Sequence, residues 1–165
     1  MSDNLPFNEG DFVVYPSHGV GKILSIETQE ISGYKLSVFV VHFDKDRMTL
    51  RVPVAKAKGS GLRRLSTQKE MASALLKLKG RAKAKRTMWS RRAQEYEQKI
   101  NSGDPGLIVE VVRDLYRNAG QPDQSYSERQ IYQAALDRLV RELAAVEAID
   151  EEAATQRLEQ MLNAA

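Results

Sequence analysis

The chain has no cysteine and only two histidines among its 165 residues. The first absence excludes disulfides, thiolate metal sites and cysteine nucleophiles. The second leaves His18 and His42 as the sole imidazoles, one in a turn and one near a strand end, without HxxxH or HxxE ligand spacing. Long apolar runs are missing too. Stretches such as Leu107-Ile108-Val109 are cut short by charge, far below the roughly 20 residues a bilayer span needs. The opening residues, Met1-Ser2-Asp3-Asn4-Leu5-Pro6, lack the basic and apolar regions of a secretory signal. A soluble, cytoplasmic protein with no membrane partner is expected.

The usual signatures of catalysis are also lacking. Gly19-Val20-Gly21 has neither the third glycine nor the following helix of a dinucleotide loop, and no GxxxxGK[ST] or GxSxG occurs. Asp44 and Asp46 read as solvated carboxylates on a hairpin tip. Asp150-Glu151-Glu152 stands where a helix N-terminus favours negative charge. The expectation is a protein that is not an enzyme, with no catalytic residue, cofactor or metal.

What is present is uneven charge. Residues 1–66 hold 9 Lys/Arg against 7 Asp/Glu, residues 67–103 hold 10 against 3, and residues 104–165 hold 6 against 12. Only the middle of the chain is suited to a polyanion.

Two periods divide the chain. Short β-rich runs at 12–15, 19–26, 36–43 and 48–53 are separated by Pro16-Ser17-His18-Gly19, Ser32-Gly33 and Asp44-Lys45-Asp46. Leu50 and Val52 alternate with Arg51, so Arg51 points away from the core. Such spacing predicts a small, strongly bent sheet or SH3-like barrel. Thr67 with Glu70 then forms a capping box, ahead of an apolar face of Met71, Leu75, Leu76 and Leu78 that ends at Gly80. A second helix runs from about Met88 through Tyr96 and Ile100 to Gly103. Asp104-Pro105 starts a third, with Leu107, Ile108, Val111, Val112, Leu115 and Tyr116 as its stripe and Gly120 as its stop. Ser127 is expected to cap a longer helix and Asp150 to open the last. The fold class is α+β: a β module, then a compact bundle of about five helices.

From Met71 to Gln94 there is no acidic residue but eight basic ones: Lys77, Lys79, Arg81, Lys83, Lys85, Arg86, Arg91 and Arg92. Lys and Arg that reach phosphates release counterions, so this cluster binds a duplex without reading its bases. The only tryptophan, Trp89, lies inside it. Two roles fit its chemistry, core packing or an exposed plane that stacks on bases or wedges at a distorted step.

The sequence resembles the CarD family (the CarD/CdnL group) of bacterial transcription regulators. The resemblance rests on Gly10-Asp11-Phe12-Val13-Val14-Tyr15-Pro16-Ser17-His18-Gly19-Val20-Gly21, on Leu50-Arg51-Val52-Pro53, and on Trp89-Ser90-Arg91-Arg92. It is completed by Ser102-Gly103-Asp104, followed by Val109-Glu110-Val111-Val112-Arg113-Asp114-Leu115. It implies that residues 1–66 form a Tudor-like RNA polymerase-interaction domain, docking on the lobe of the polymerase β subunit through Arg51, Val52 and Pro53. It implies that residues 67–165 form a helical DNA-binding domain with Lys85, Arg86, Trp89, Arg91, Arg92 and Arg129 toward promoter DNA, largely independent of base sequence. Trp89 matches the family's tryptophan, which enters the minor groove at the upstream edge of the transcription bubble and stabilises the open complex. The chain departs from some relatives at Gln29 and Gln94, where those carry a basic residue, and Arg86 or Lys85 would compensate for the second. A monomer is expected, located with polymerase on the nucleoid. The main rival reading is an SH3-like domain with basic helices that binds RNA or ribosomes and has no promoter activity, and a second is a protein-only adaptor with Trp89 in the core.

Overall fold

A computed structural model describes residues 6–80, 88–117 and 124–164. The chain divides between Leu65 and Ser66 into two compact units.

The first unit is a five-stranded antiparallel sheet in the order β4-β3-β2-β1-β5. Its strands are β1 (Phe12–Tyr15), β2 (Gly19–Ile31), β3 (Tyr34–Phe43), β4 (Met48–Pro53) and β5 (Arg63–Arg64). The last strand pairs back onto the first, Val13 opposite Arg64 and Val14 opposite Arg63, as in an SH3-like or Tudor-like module. Phe7, Val13, Ile23, Phe39, Val41, Phe43, Val52, Ala57 and Leu62 make the core. Gly21 is required there. A Cβ on it would lie 2.8 Å from the Phe43 ring and 2.9 Å from Val41, so the core closes against bare backbone.

Two expectations need correction in this unit. The second and third strands run on to Ile31 and back to Tyr34, joined by the two-residue turn Ser32-Gly33 with both φ positive (51° and 82°). That is the geometry of a type I′ hairpin, whose twist matches that of the strands it joins. The extension was hidden because Thr28, Glu30 and Lys35 face water, where no apolar alternation marks a strand. The single-turn helix α1 (Val54–Ala57) and β5 were also not foreseen. Two consecutive arginines carry no strand signal, and β5 exists because β1 offers it an edge.

The second unit holds five α-helices and one 3₁₀ turn among the described residues. They are α2 (Gln68–Leu75), the 3₁₀ turn Leu76–Lys79, α3 (Trp89–Asn101), α4 (Pro105–Leu115), α5 (Tyr126–Glu147) and α6 (Glu151–Ala164). The capping box of Thr67 and Glu70 is present in both directions. Asp104 caps α4 through the amide of Gly106 at 2.9 Å, and Asp150 accepts from Ala153 at 2.7 Å.

α4 is the centre of the bundle, touching α2, α3, α5 and the 3₁₀ turn. It is therefore buried more widely than one stripe allows. Val109 is fully buried beside Ile108, Val111, Val112 and Leu115, whereas Leu107 and Tyr116 are only partly covered. Truncating a wholly buried leucine such as Leu115 to alanine costs about 2–5 kcal/mol. Leu76, expected on the inner face of the first helix, is exposed, because the 3₁₀ turn begins there and its tighter winding rotates Leu78 inward instead. Ser127 does not cap α5. Ser125 does, in a capping box with Glu128. The expected stop at Gly120 lies outside the described residues.

Among the described residues two carboxylates are buried, and both are partnered. Glu142 Oε2 accepts from the amide and the hydroxyl of Ser66, each at 2.8 Å. Asp114 accepts from Arg113 Nε at 3.0 Å. No helix among the described residues is long and apolar enough to cross a membrane.

Candidate nucleic-acid interface

α3 differs from the other helices of its unit at its start. Its first residue is Trp89 and its N-cap is Met88, which offers no side-chain cap, and no acid stands in the first turn. Arg91 and Arg92 occupy that turn instead. Cations there oppose the helix dipole, an arrangement that an approaching phosphate relieves rather than aggravates.

Trp89 is neither a core residue nor a free plane. It is half-buried and packs against the edge of the bundle core with Ala93. Its indole Nε1 donates to Ser127 Oγ, on the first turn of α5, at 3.1 Å. The guanidinium of Arg92 sits 5.5 Å from the Trp89 ring centre and 5.8 Å from that of Tyr96. Arg92 Nη2 also donates to the Tyr96 hydroxyl at 3.2 Å. The two rings lie 6.2 Å apart and tilted. One cation between two aromatic faces is a favourable pairing on both sides. Met88 and Tyr126, by contrast, are well exposed, at 77% and 76%.

The predicted basic residues therefore fall into different situations. Arg91 is exposed on the first turn of α3, and Gln94 is exposed one turn further on. Arg92 is drawn inward to its stacking partners. Lys77 Nζ is 3.1 Å from Glu110 Oε2, and Lys99 holds the other oxygen of the same carboxylate at 3.0 Å. Lys77 thus has a structural partner that its place in a basic run did not reveal. Partial burial opposes ionisation of Glu110, but its hydrogen bonds to Lys99 and Lys77, and their charges, outweigh that and hold the carboxyl below the usual carboxylate range. Lys85 and Arg86, with Arg81 and Lys83, lie outside the described residues.

Arg129 is exposed on the first turn of α5, two residues after Ser127. At about 100° per residue the two point to nearly opposite sides of the helix, so Arg129 does not share the Trp89 contact. It lines a polar cleft with Tyr116, Arg117, Gln124 and Tyr132. Arg117 is paired with Glu128 at 2.9 Å. Burial, then the Tyr116 and Glu159 side chains, push the Tyr132 hydroxyl up to about 12.

The three predicted polymerase-facing residues lie in the other unit. β4 is an outer strand of the sheet. Arg51 faces solvent there, Pro53 is partly covered, and Val52 is in the core. Val52 can join a contact only through its backbone. Arg51 Nε lies 3.5 Å from Glu27 Oε1. Arg51 stands opposite Val40 and Glu27 opposite Val38, so the pair spans β3 diagonally. Gln29 lies on β2 beyond it, opposite Leu36.

The histidines have local partners: His42 contacts Thr49 Oγ1 at 3.0 Å and Asp44 at 3.2 Å, and His18 stacks on Tyr15. Among the described residues no three His, Asp or Glu side chains converge as a metal site.

Ser127 is the member of this site that sequence reasoning misplaced. A signal was there: Ser125 precedes Glu128 by three residues, the capping-box spacing, which frees Ser127 for another task.

Comparison with known proteins matches both units. The model described as CarD, C-terminal domain matches residues 73–159, and that described as CarD-like/TRCF RID domain matches residues 7–66. Neither describes an enzyme family. A Bacillus subtilis (strain 168) protein described as putative transcription factor YdeB is 28% identical over 145 residues, 88% of this chain and 95% of that protein. Two solved domains from Myxococcus xanthus are similar in part. The 72-residue N-terminal domain of CarD is 33% identical, covers 38% of this chain and 84% of its own, and has a TM-score of 0.32. CdnLNt is 32% identical, with coverage of 41% and 93% and a TM-score of 0.33.

Proposed function

The chain belongs to the CarD family, and from that premise we propose that it is a transcription regulator that binds RNA polymerase and promoter DNA together. The family models across both units and the similarity to a putative transcription factor support regulation of transcription. In the finer reading, the β module docks on the lobe of the polymerase β subunit along β4. Arg51 is its charged contact, Pro53 lies beside it and Val52 contributes backbone. The helical unit then lies on DNA at the upstream edge of the bubble, where Arg91, Arg129, Lys85 and Arg86 meet phosphates and Trp89 enters the minor groove. Arg92 acts by stacking on Trp89.

The observation that carries this reading is the state of Trp89: half-buried, fixed by its ring nitrogen and one face, beside an uncapped helix start rich in arginine. An aromatic plane held in that way loses little freedom when it enters a distorted step, whose unstacking costs a few kcal/mol. Docking on polymerase raises the local concentration, so a few phosphate contacts suffice for occupancy. Phosphate contacts and a wedge read almost no base edges, so action at many promoters is expected.

The test is the lifetime of open complexes formed by bacterial RNA polymerase after competitor challenge. The protein should lengthen it. Binding to polymerase without any change in lifetime would overturn the wedge reading.

A further inference from the structure

We propose that Ser127 is a positioning residue for Trp89, setting the orientation in which the indole meets DNA; this rests on the wedge reading above. An indole has a single N–H to donate, and here it goes to Ser127 Oγ at 3.1 Å, across 38 residues and from a different helix. Ser127 owes nothing to its own helix, since Ser125 and Glu128 supply both halves of the α5 capping box. Its hydroxyl is on an exposed residue, where water could satisfy it equally well, so the bond serves the tryptophan more than the serine.

The other restraints on the ring are apolar or stacked. Arg92 covers one face, Tyr96 lies 6.2 Å away at a tilt, and the ring packs against the edge of the bundle core. A ring held only in this way can still pivot about its second side-chain torsion, a broad and soft degree of freedom for an aromatic. A hydrogen bond from the ring nitrogen, off the pivot axis, removes that freedom. It also ties the start of α3 to the start of α5, and so joins the two helix ends that carry Arg91 and Arg129.

Trp89 is the only tryptophan in the chain, so its fluorescence reports this site alone. The experiment compares full-length wild type, Ser127→Ala, Ser127→Thr and Trp89→Ala. Two readouts are taken: time-resolved anisotropy of Trp89 in the free proteins that retain it, and open-complex lifetime with polymerase on one promoter. Ser127→Ala should release a fast, large-amplitude local motion of Trp89 while far-UV circular dichroism stays unchanged. It should shorten the lifetime roughly threefold to tenfold, the factor that one neutral hydrogen bond is worth. Ser127→Thr, which keeps the hydroxyl, should restore both. An unchanged anisotropy in Ser127→Ala overturns the proposal. So does a changed anisotropy with wild-type lifetime while Trp89→Ala shortens it, and in that case the wedge reading stands. If Trp89→Ala itself leaves the lifetime unchanged, the wedge reading falls and the positioning role falls with it.

Discussion

The outer strand of the sheet and the start of α3 each present an arginine, and the two are held in opposite ways. Arg51 stands on β4 with its side chain facing solvent and one long contact to Glu27 at 3.5 Å, both partners about half exposed. Arg92 lies between two aromatic rings with a donor spent on Tyr96. The first keeps its rotamers, and a surface pair of that kind contributes little to stability. The second is part of the packing. A charged contact between macromolecules tolerates loose side chains, since attraction acts at a distance and both partners adjust. An aromatic that enters a groove needs its direction set beforehand, and the contacts of Arg92 and Ser127 with Trp89 suit that need. Under the proposed function, the two units separate a soft electrostatic contact from a hard steric one.

Breaking the hard side has the largest expected effect. Trp89→Ala should abolish the gain in open-complex lifetime. Because the ring is also partly buried, it should lower unfolding free energy by about 2 kcal/mol, some half of the cost of a fully buried tryptophan, as measured by urea denaturation. A variant that loses neither would show that the ring is ornamental to both fold and function. On the soft side, Arg51→Glu should weaken binding to the isolated polymerase β lobe about tenfold or more, with stability within about 0.5 kcal/mol of wild type. Titration calorimetry and denaturation measure the two halves, and unchanged affinity removes Arg51 from the docking surface.

A smaller effect is expected at Arg91. Its replacement by alanine should reduce the slope of log affinity for DNA against log salt by about 1, measured by fluorescence titration at several salt concentrations, whereas Lys77→Ala should leave that slope alone. The smallest effect concerns Glu110. Its carboxyl is held below its ordinary value in the fold, so its contribution is fully present above the unfolded value of about 4.3 and is lost as pH falls through the folded one. The stability gap between wild type and Glu110→Gln should therefore be constant near neutral pH and close under acid. A gap that widens toward low pH would contradict the Lys77–Glu110–Lys99 arrangement.

Much of the architecture was legible because its signals are local. The strand runs, the Thr67–Glu70 box and Asp104-Pro105 all announce themselves within eight residues or fewer. The polar halves of β2 and β3 were not legible, since a ribbon that faces water has no apolar pattern to display. At the candidate interface, the basic run and its tryptophan stood out, but what each residue touches did not. Lys77 and Glu110 are 33 residues apart, and only the packing of α4 brings them together. For Trp89 the sequence does carry a sign: Trp89, Ala93, Tyr96 and Ile100 recur at the spacing of one helix face. That spacing places the tryptophan at the end of the buried stripe and accounts for its intermediate position.

The hydrogen bonds from Ser66 to Glu142 have a mechanical meaning. Any pull that reaches the second unit along the chain arrives at Ser66 first. Its amide and hydroxyl are anchored to one carboxylate near the C-terminal end of α5, the longest helix. Tension is therefore delivered sideways into a helix of 22 residues, instead of peeling α2 open from its capped start. The first residue of the second unit thus ends on an anchor, and α2 cannot part from α5 at its start without breaking two hydrogen bonds to one carboxylate.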